Sequence, residues 1–321
     1  MALVVSSLTD YVNQNSLELL KALHYEGTSA KYMTPMAGVK KEDALQLFAL
    51  TAYPQSGADG CDMTASGSAA FTQRTMVVKK IGYRDEFCMD DLLPKWTQML
   101  LAPGAAGEDE ITVQLGNQIN DELKALIVEH HEVADWQGNT ASGDAILKQY
   151  DGLIKIIDAA SNEVLANTTN AAIGWTTITS ATGITASNVI SIIKVMVRAQ
   201  PEKLKRQKDK YIFMGTDVFD LYVQALEAAN LFYVDATTDF SGYEIRVPGT
   251  NIIAVGVAGL SGTSRLFLAK KTNLFYGFDL ISDEDGIVWK VLESDKMRYT
   301  AKFKRGMQVA YPDEVVSFKL T

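Results

Sequence analysis

The stretch from Glu108 to Trp136 reads EDEITVQLGNQINDELKALIVEHHEVADW. Its apolar residues recur in steps typical of one face of an α-helix. They are Ile111, Leu115, Ile119, Leu123, Leu126 and Val133. Acidic residues crowd the first turn, where a helix N-terminus favours negative charge. At ~1.5 Å per residue the stretch predicts a rod of roughly 40 Å, which is longer than most helices of globular proteins. We therefore predict one long helix over 108–136.

The composition of the chain sets its general class. It has 321 residues, 47 % of them hydrophobic, which is enough for the cores of two domains. The formal net charge of −9 argues against a general nucleic-acid binder but allows a local basic patch. Cys61 and Cys88 form no Cys-x-x-Cys pair, so no disulfide framework or common zinc motif is expected. There is no signal-peptide pattern and no apolar run long enough to span a membrane, so we expect a soluble protein of a reducing compartment.

Before the long helix, the sequence predicts a long β-hairpin over residues 45–85. The run Glu42 to Thr51 is apolar but its type is open, whereas Gln73 to Phe87 has the pattern of a strand. Between them, Pro54 to Ser68 (PQSGADGCDMTASGS) predicts a flexible loop of a length that is uncommon in compact domains. A hairpin without a covering layer is marginal alone. It therefore either packs on its own domain or is ordered by another chain.

After the long helix, the pattern is that of a mixed α/β region. Helices are predicted near Ser187 to Pro201 and from Thr216 to Leu226, and Leu153 to Ile157 is a strand candidate. The other predicted strands are Tyr211–Met214, Tyr243–Val247, Ile252–Val257, Arg265–Ala269, Ile287–Leu292, Met297–Phe303 and Val315–Leu320. No repeat is visible, which disfavours solenoids and propellers. The predicted fold class is α+β.

The only histidine pair in the chain is the first candidate for chemistry. His130 and His131 are adjacent, so on a helix they point about 100° apart and cannot both bind one ion. We interpret Glu129 to Glu132 as a polar patch at the surface or at an interface. No G-x-S-x-G motif accompanies the histidines, so a hydrolase triad is not indicated.

Two other patterns resemble binding loops only loosely. Gly256, Gly259 and Gly262 have the spacing G-x-x-G-x-x-G and precede a strand, which favours tight turns over a dinucleotide site. Asp283 to Gly286 lacks the closing Glu of a calcium loop and is predicted to be a β-turn. The sequence therefore predicts no catalytic residue, no cofactor site and no metal site.

The segment Glu202 to Lys210, EKLKRQKDK, has five basic residues in nine. The favoured interpretation is a solvated helix end. The alternative is a contact with packaged nucleic acid or with an acidic neighbouring subunit. No aromatic residue lies in the run, so base stacking is not indicated.

The order of these features resembles the major capsid protein of tailed phages, which has the Hong Kong 97-type fold. The resemblance covers nearly the whole chain, and its strength lies in the order of the stretches. These are TQRTMVVKKIGYRDEFCMDDL (72–92), the long helix ending in ADWQGN (134–139), DKYIFMGTDVFDLYVQAL (209–226), YEIRVPGTNIIAVGVAGL (243–260), LFLAKKTNLFYGFDL (266–280) and MRYTAKFKRGMQVAYPDEVVSFKL (297–320).

The resemblance implies a division of the chain into five parts. They are an N-terminal arm (1–44), an extended hairpin loop (45–86), a peripheral domain with the spine helix 108–136 (87–160), an axial α/β domain (161–286) and the closing strands of the peripheral domain (287–321). The axial domain would form hexamers and pentamers, while the loop and the arm would each reach a neighbouring subunit. The soft loop at 54–68 would then become ordered between chains.

The resemblance also implies a function and a set of partners. The chain would form an icosahedral shell around the genome of a double-stranded DNA phage, assembled in the host cytoplasm, and would not be an enzyme. Its partners would be other copies of itself, a portal, a separate scaffolding protein and packaged DNA, bound non-specifically on the inner face, with no membrane. No fused scaffolding region is visible, and no motif singles out Lys79 or Lys80 for the covalent cross-link of some relatives.

Three other classes compete with this interpretation. An encapsulin-like nanocompartment shell has the same fold but encloses an enzyme, and the long loop and arm favour the phage protein over it. An α/β enzyme is disfavoured because no catalytic motif is present. A tail or decoration protein is disfavoured by the long helix.

Overall fold

The computed structural model describes residues 28–51, 53, 67–88, 108–169, 174–230, 243–279, 288–291 and 296–321. Helices and strands are mixed in an α+β arrangement, as predicted from the sequence. Two sheets of five and six strands and one separate two-stranded hairpin make up the β-structure of this part of the chain. The predicted loop 54–68 lies mostly outside the described residues, as do Cys61 and the predicted turn Asp283–Gly286.

The predicted long helix is confirmed. Helix α1 spans Glu108–Gln137. Leu123 and Ile127 are buried, whereas the predicted core residue Leu126 is 42 % exposed. In its last two turns the helix is buried on several sides at once, and the residues there include Glu132, Ala134, Asp135 and Trp136. The end of α1 is therefore enclosed by both sheets. A single apolar stripe along the helix predicts burial on one side only.

The five-stranded sheet is built around one long strand. Strand β12 (Lys296–Val309) pairs first with β4 (Lys79–Cys88) and β11 (Val288–Val291). Its last residues then pair with β10 (Leu274–Phe278), which pairs in parallel with β1 (Thr34–Ala37). Paired residues share a face of the sheet. Phe303 pairs with Ile81 and Ala301 pairs with Tyr83, so this face of β4 and β12 is apolar. That face packs with α1 in a common core that includes Ile81, Leu123, Ile127, Ala301 and Phe303.

The six-stranded sheet has the order β5-β13-β9-β6-β8-β7. The strands are β5 (Val164–Leu165), β6 (Lys210–Gly215), β7 (Glu244–Arg246), β8 (Ile253–Val257), β9 (Leu266–Lys270) and β13 (Val316–Phe318). The last strand, β13, pairs with β9 in this sheet. The sequence-based division instead groups it with the closing strands that follow residue 287.

Both faces of the six-stranded sheet are covered, since successive side chains of a strand point to opposite faces. Helices α3 (Val189–Ala199) and α5 (Thr216–Ala228) pack on one face in a core that contains Ile212 and Met214. On the other face, the Trp136 ring lies 5.1 Å from the Phe213 ring. The end of the long helix is thus the joint between the two sheets.

One short helix precedes α3 in the chain and another follows it. The predicted strand Leu153–Ile157 is wrong, because helix α2 spans Leu153–Ala160. Leu153 and Ile157 are four residues apart and fully buried, so the apolar run is one face of a helical turn. Helix α4 spans Glu202–Lys205, at the start of the basic run.

Candidate assembly interface

The hairpin predicted before the long helix is present, but it is shorter than expected. Strands β2 (Glu42–Thr51) and β3 (Ser68–Val77) pair antiparallel over ten residues each. The predicted strand Gln73–Phe87 is two strands, because the chain leaves the hairpin at Val78 and continues as β4 in the five-stranded sheet. The free part of the hairpin therefore ends at residue 77.

The outer half of the hairpin carries an exposed apolar surface on one face. Phe48 lies directly opposite Phe71, and Leu50 lies opposite Ala69. The two Phe rings are 4.8 Å apart. Phe48, Leu50 and Phe71 are 51 %, 66 % and 75 % exposed. We call these four residues the tip patch, and a contiguous apolar patch of this kind is typical of an interaction site.

The tip patch gives way to polar residues towards the base of the hairpin. Next along the same face, the Gln73 amide donates a 3.2 Å hydrogen bond to the Gln46 carbonyl oxygen. Apolar exposure on this face is therefore concentrated at the far end. An arm that presents most of its apolar surface at its far end is suited to reach a partner rather than to cover its own subunit.

The base of the hairpin, by contrast, is buried. Val39, Met76 and Val78 form a small core of their own, with Met36 and Phe275 packed against it. The Val78 amide donates to the Lys41 carbonyl at 3.0 Å, and the Gln308 side chain donates to the Thr75 carbonyl at 2.6 Å. The hairpin is thus fixed at its base and exposed at its tip.

A second junction joins the N-terminal part of the described chain to helix α1. Thr28 and the 3₁₀ turn Ser29–Tyr32 lie against Glu132 and Trp136. The Glu132 carboxylate accepts hydrogen bonds from the Thr28 hydroxyl at 2.8 Å and from the Ser29 amide at 3.1 Å. Trp136 Nε1 donates to Ser29 Oγ at 2.7 Å. Burial raises the pKa of Glu132, and its hydrogen bonds with Ser29 and Thr28 only partly offset this.

The same turn also contacts the six-stranded sheet. The Tyr32 hydroxyl donates to the Glu244 carboxylate, and Lys31 Nζ pairs with Glu244 at 2.7 Å. The Tyr32 ring lies 4.9 Å from the Tyr211 ring. Burial, followed by the hydrogen bond and the charge of Glu244, raises the pKa of Tyr32, so its hydroxyl remains a donor. The segment that begins at residue 28 is therefore held by both the helix and the sheet.

A buried ion pair connects α1 to the long strand β12. Arg305 Nε donates to Asp135 Oδ1 at 3.0 Å, and a second guanidinium nitrogen of Arg305 pairs with the other carboxylate oxygen. The Tyr150 hydroxyl also donates to Asp135, at 2.6 Å. Burial acts to lower the pKa of Arg305, but the charge and hydrogen bonds of Asp135 outweigh it and raise that pKa. The guanidinium therefore stays charged inside the protein.

The predicted polar patch Glu129–Glu132 is exposed at Glu129 and buried at Glu132, with the histidine pair between them. His130 and His131 are half-buried against β4 and β12. His130 Nδ1 lies 2.9 Å from the Tyr83 hydroxyl, and the His131 ring packs 4.7 Å from the Phe303 ring. Both line a cavity of about 220 Å³. Among the described residues no group of three or more His, Cys, Asp or Glu side chains could hold a metal ion.

The three glycines have separate structural roles. Gly256 lies within β8, and Gly262 has a φ of 73°, which suits a tight turn. A Cβ on Gly259 would lie 2.6 Å from Trp136 Cδ1, so this glycine permits the close approach of α1. A strand follows them rather than a helix, as the sequence indicated.

No helix in the described part of the chain is long and apolar enough to cross a membrane.

Sequence reasoning missed the residues that join α1 to the N-terminal segment and to strand β12. Glu132 and Asp135 are acidic, and the partners of Asp135 include Arg305, which lies 170 residues away. The signal that could have found them is local. Glu132 and Asp135 lie in the last turns of a long helix, close to Trp136. A helix end that is buried on all sides requires its polar side chains to be paired.

Comparison with known proteins identifies the fold but gives no sequence relative. No protein-family model and no curated protein matches the chain. Among solved structures, a chain of the satellite phage P4 procapsid aligns with a TM-score of 0.57 at 10 % identity, covering 94 % of this chain and 98 % of that one. The capsid of the empty GTA particle aligns with a TM-score of 0.52 at 10 % identity, covering 91 % and 88 %.

A third example is the capsid of Myoviridae phage XM1, with a TM-score of 0.50 at 10 % identity and coverage of 88 % of this chain and 87 % of that one. All three alignments run through most of both chains. This chain has the Hong Kong 97-type capsid fold.

Proposed function

We propose that this chain is the major capsid protein of a tailed double-stranded DNA phage and assembles as hexamers and pentamers into an icosahedral shell. The observation that carries the proposal is the tip patch at the end of a hairpin whose base is buried, on a chain with this fold. The hairpin exposes apolar surface that the described part of its own subunit does not cover.

The energetics favour assembly through many contacts of this kind. Full burial of a Leu or Phe side chain contributes about 1.5–3 kcal/mol, so a single tip patch on a neighbour gives a contact of modest strength. A closed shell repeats that contact in every subunit, and its interfaces reinforce one another. The N-terminal arm that the resemblance implies would add a second contact with a neighbouring subunit.

We further propose a division of the chain that follows the two sheets. The hairpin loop is then residues 42–77, and β1, β4 and β10 join the peripheral domain (87–160, with closing strands from 287), because all three belong to the five-stranded sheet. The axial domain keeps the rest of 161–286 and gains β13, because this strand pairs with β9 in the six-stranded sheet. The joint between the two domains is then the end of α1.

The proposed role defines the other partners. A portal, a separate scaffolding protein and packaged DNA, contacted non-specifically on the inner face, would complete a shell that is assembled in the host cytoplasm and becomes part of the virion. In this role the protein is structural, with no catalytic residue, cofactor or metal site and no contact with a membrane.

The proposal is tested by the state of the expressed full-length chain. We expect light scattering and electron microscopy of one sample to show hexamers, tubes or closed shells, either alone or after addition of the scaffolding protein. A stable 35 kDa monomer that binds a small molecule tightly would contradict a shell function. Native particles that contain an enzyme and no genome would indicate a nanocompartment in place of a phage capsid.

A further inference from the structure

The basic run lies on the surface, where the fold adds two more lysines to it. Lys203, Arg206 and Lys208 are exposed on α4 and the loop that follows it. Lys270 and Lys271, at the end of β9, lie beside this loop, because Lys270 Nζ donates to the Gln207 side chain at 3.2 Å. We call these five cations the basic surface.

A buried lysine fixes the backbone that carries these cations. The Lys210 side chain is only 5 % exposed, and its ammonium donates to Gln200 Oε1 at 3.0 Å and to the Lys205 carbonyl at 2.8 Å. Leu204 is buried in the core below α3 and α5. The backbone amide of Lys271 donates to the Asp209 carbonyl at 3.1 Å. The loop is therefore held from both ends, and little ordering is required when a ligand binds.

The charge of this region is unbalanced, although the chain as a whole is acidic. Lys205 is paired with Glu202. None of the five cations of the basic surface forms an ion pair with another described residue. The one further acidic residue in the run is Asp209, which is exposed. The neighbouring cations repel one another, and an anionic partner would relieve that repulsion.

We propose that the basic surface binds the phosphate backbone of double-stranded DNA, so that it is a contact between the shell and its genome. This inference rests on the proposed function and assigns its DNA contact to named residues. Lys and Arg side chains supply the sequence-independent part of DNA binding through phosphate contacts. No aromatic residue lies in the run, which is consistent with contact to the backbone and not to the bases.

A second protein is a poorer fit to the same surface. Protein interfaces are built around aromatic or apolar anchors and are depleted in Lys. The one large apolar residue between Glu202 and Asp209 is Leu204, whose side chain is 1 % exposed and faces the core. The accessible side chains there are charged or polar and remain hydrated, as in a phosphate-binding surface.

The test measures binding of random-sequence duplex DNA to the full-length chain by fluorescence anisotropy across a salt series. The variant Lys203→Gln/Arg206→Gln/Lys208→Gln removes three exposed charges. The matched control Lys40→Gln/Lys41→Gln/Lys79→Gln removes three exposed charges at the base of the hairpin. We expect the first variant to lose at least about tenfold in affinity, with the slope of log K against log salt reduced by roughly 3. The control should stay within about twofold of wild type.

Three results would overturn the inference. They are an absence of DNA binding by the wild-type chain at low salt, an equal loss in both triple variants, and binding of polyglutamate that exceeds binding of DNA. The last result would assign the basic surface to an acidic protein. Thermal unfolding of each variant confirms that the fold is retained.

Light scattering on the same samples separates this inference from the proposed function. Shells that form without any DNA binding by the subunits would remove the inference alone. DNA binding by a chain that stays monomeric under every assembly condition would support the basic surface and contradict the capsid function.

Discussion

Gly277 and Gly306 lie directly opposite each other between β10 and β12, and the base of the hairpin crosses the sheet above them. A Cβ on Gly277 would lie 3.0 Å from the Met76 side chain. A Cβ on Gly306 would overlap the Val77 carbonyl oxygen and lie 3.0 Å from Val78 Cα. The missing side chains leave a groove across the sheet, and the chain passes through it on its way from β3 to β4.

Substitution Gly306→Ala should therefore displace the base of the hairpin. The added methyl group meets backbone atoms of Val77, which cannot rotate away, so we expect a loss of about 1–3 kcal/mol in the free energy of unfolding. Gly277→Ala should cost less, because the Met76 side chain is flexible. Urea denaturation checks both values. Gly143→Ala, where no atom lies within 4 Å of the new Cβ, is the control, and an equal loss in all three variants would contradict this account.

The tip patch should matter for assembly and not for folding. Because Phe48 and Phe71 are mostly exposed in the subunit, Phe48→Ser/Phe71→Ser should lower the free energy of unfolding by about 1 kcal/mol or less. The same variant should form far fewer shells or tubes, as counted by electron microscopy. Gln46→Ser/Gln73→Ser, on the same face nearer the base, should assemble normally. Normal assembly of the aromatic variant would show that the tip patch is not an interface.

Removal of one member of the buried ion pair should destabilise the joint between α1 and β12. Asp135→Asn leaves the Arg305 guanidinium buried without a counter-charge, so we expect a loss of about 3–5 kcal/mol in urea denaturation. The double variant Asp135→Leu/Arg305→Met should lose much less than the sum of the single changes. Lys155→Met breaks the exposed pair with Asp151 and should cost below about 1 kcal/mol. Additive losses in the double variant would show that the two residues act separately.

Glu132 should make the stability of the N-terminal junction depend on pH. Burial raises its pKa above the ordinary value of 4.5, so the folded state favours the protonated carboxyl. Its contribution is complete below that ordinary value and is lost as the pH rises through the raised folded-state pKa. Glu132→Gln cannot ionise. The free energy of unfolding of wild type, relative to Glu132→Gln, should therefore fall as the pH rises above 4.5. A difference that stays constant as the pH rises above 4.5 would mean that the pKa of Glu132 is not raised.

Features set by local periodicity could be predicted from the sequence. Helix α1 and strands such as β6 and β8 follow from apolar spacing within a single segment. The five residues of Leu153–Ile157 fit either a strand or a helical turn. The structure has a helix, in which Leu153 and Ile157 are buried on the same face. A short apolar run does not carry enough information to separate the two.

Features set by register could not be predicted in this way. That Phe48 and Phe71 share a face depends on the exact alignment of β2 with β3, because a slip by one residue would turn every side chain over. The Asp135–Arg305 pair joins elements far apart in the chain, and no local pattern indicates which acidic side chain is buried. The addition of Lys270 and Lys271 to the basic run likewise required the sheet.

Strand β12 continues without a break for 14 residues, the first ten of which pair with β4. An extended strand is already near its full length, at ~3.3–3.4 Å per residue, so it cannot stretch when it is pulled. Tension applied to the hairpin through β4 runs parallel to this row of pairs and loads them in shear, all together rather than one at a time. Arg305, at the end of that row, passes the force to α1 through Asp135. If the hairpin contacts a neighbouring subunit as proposed, the mechanical strength of that connection would come from the five-stranded sheet and not from β2 and β3 alone.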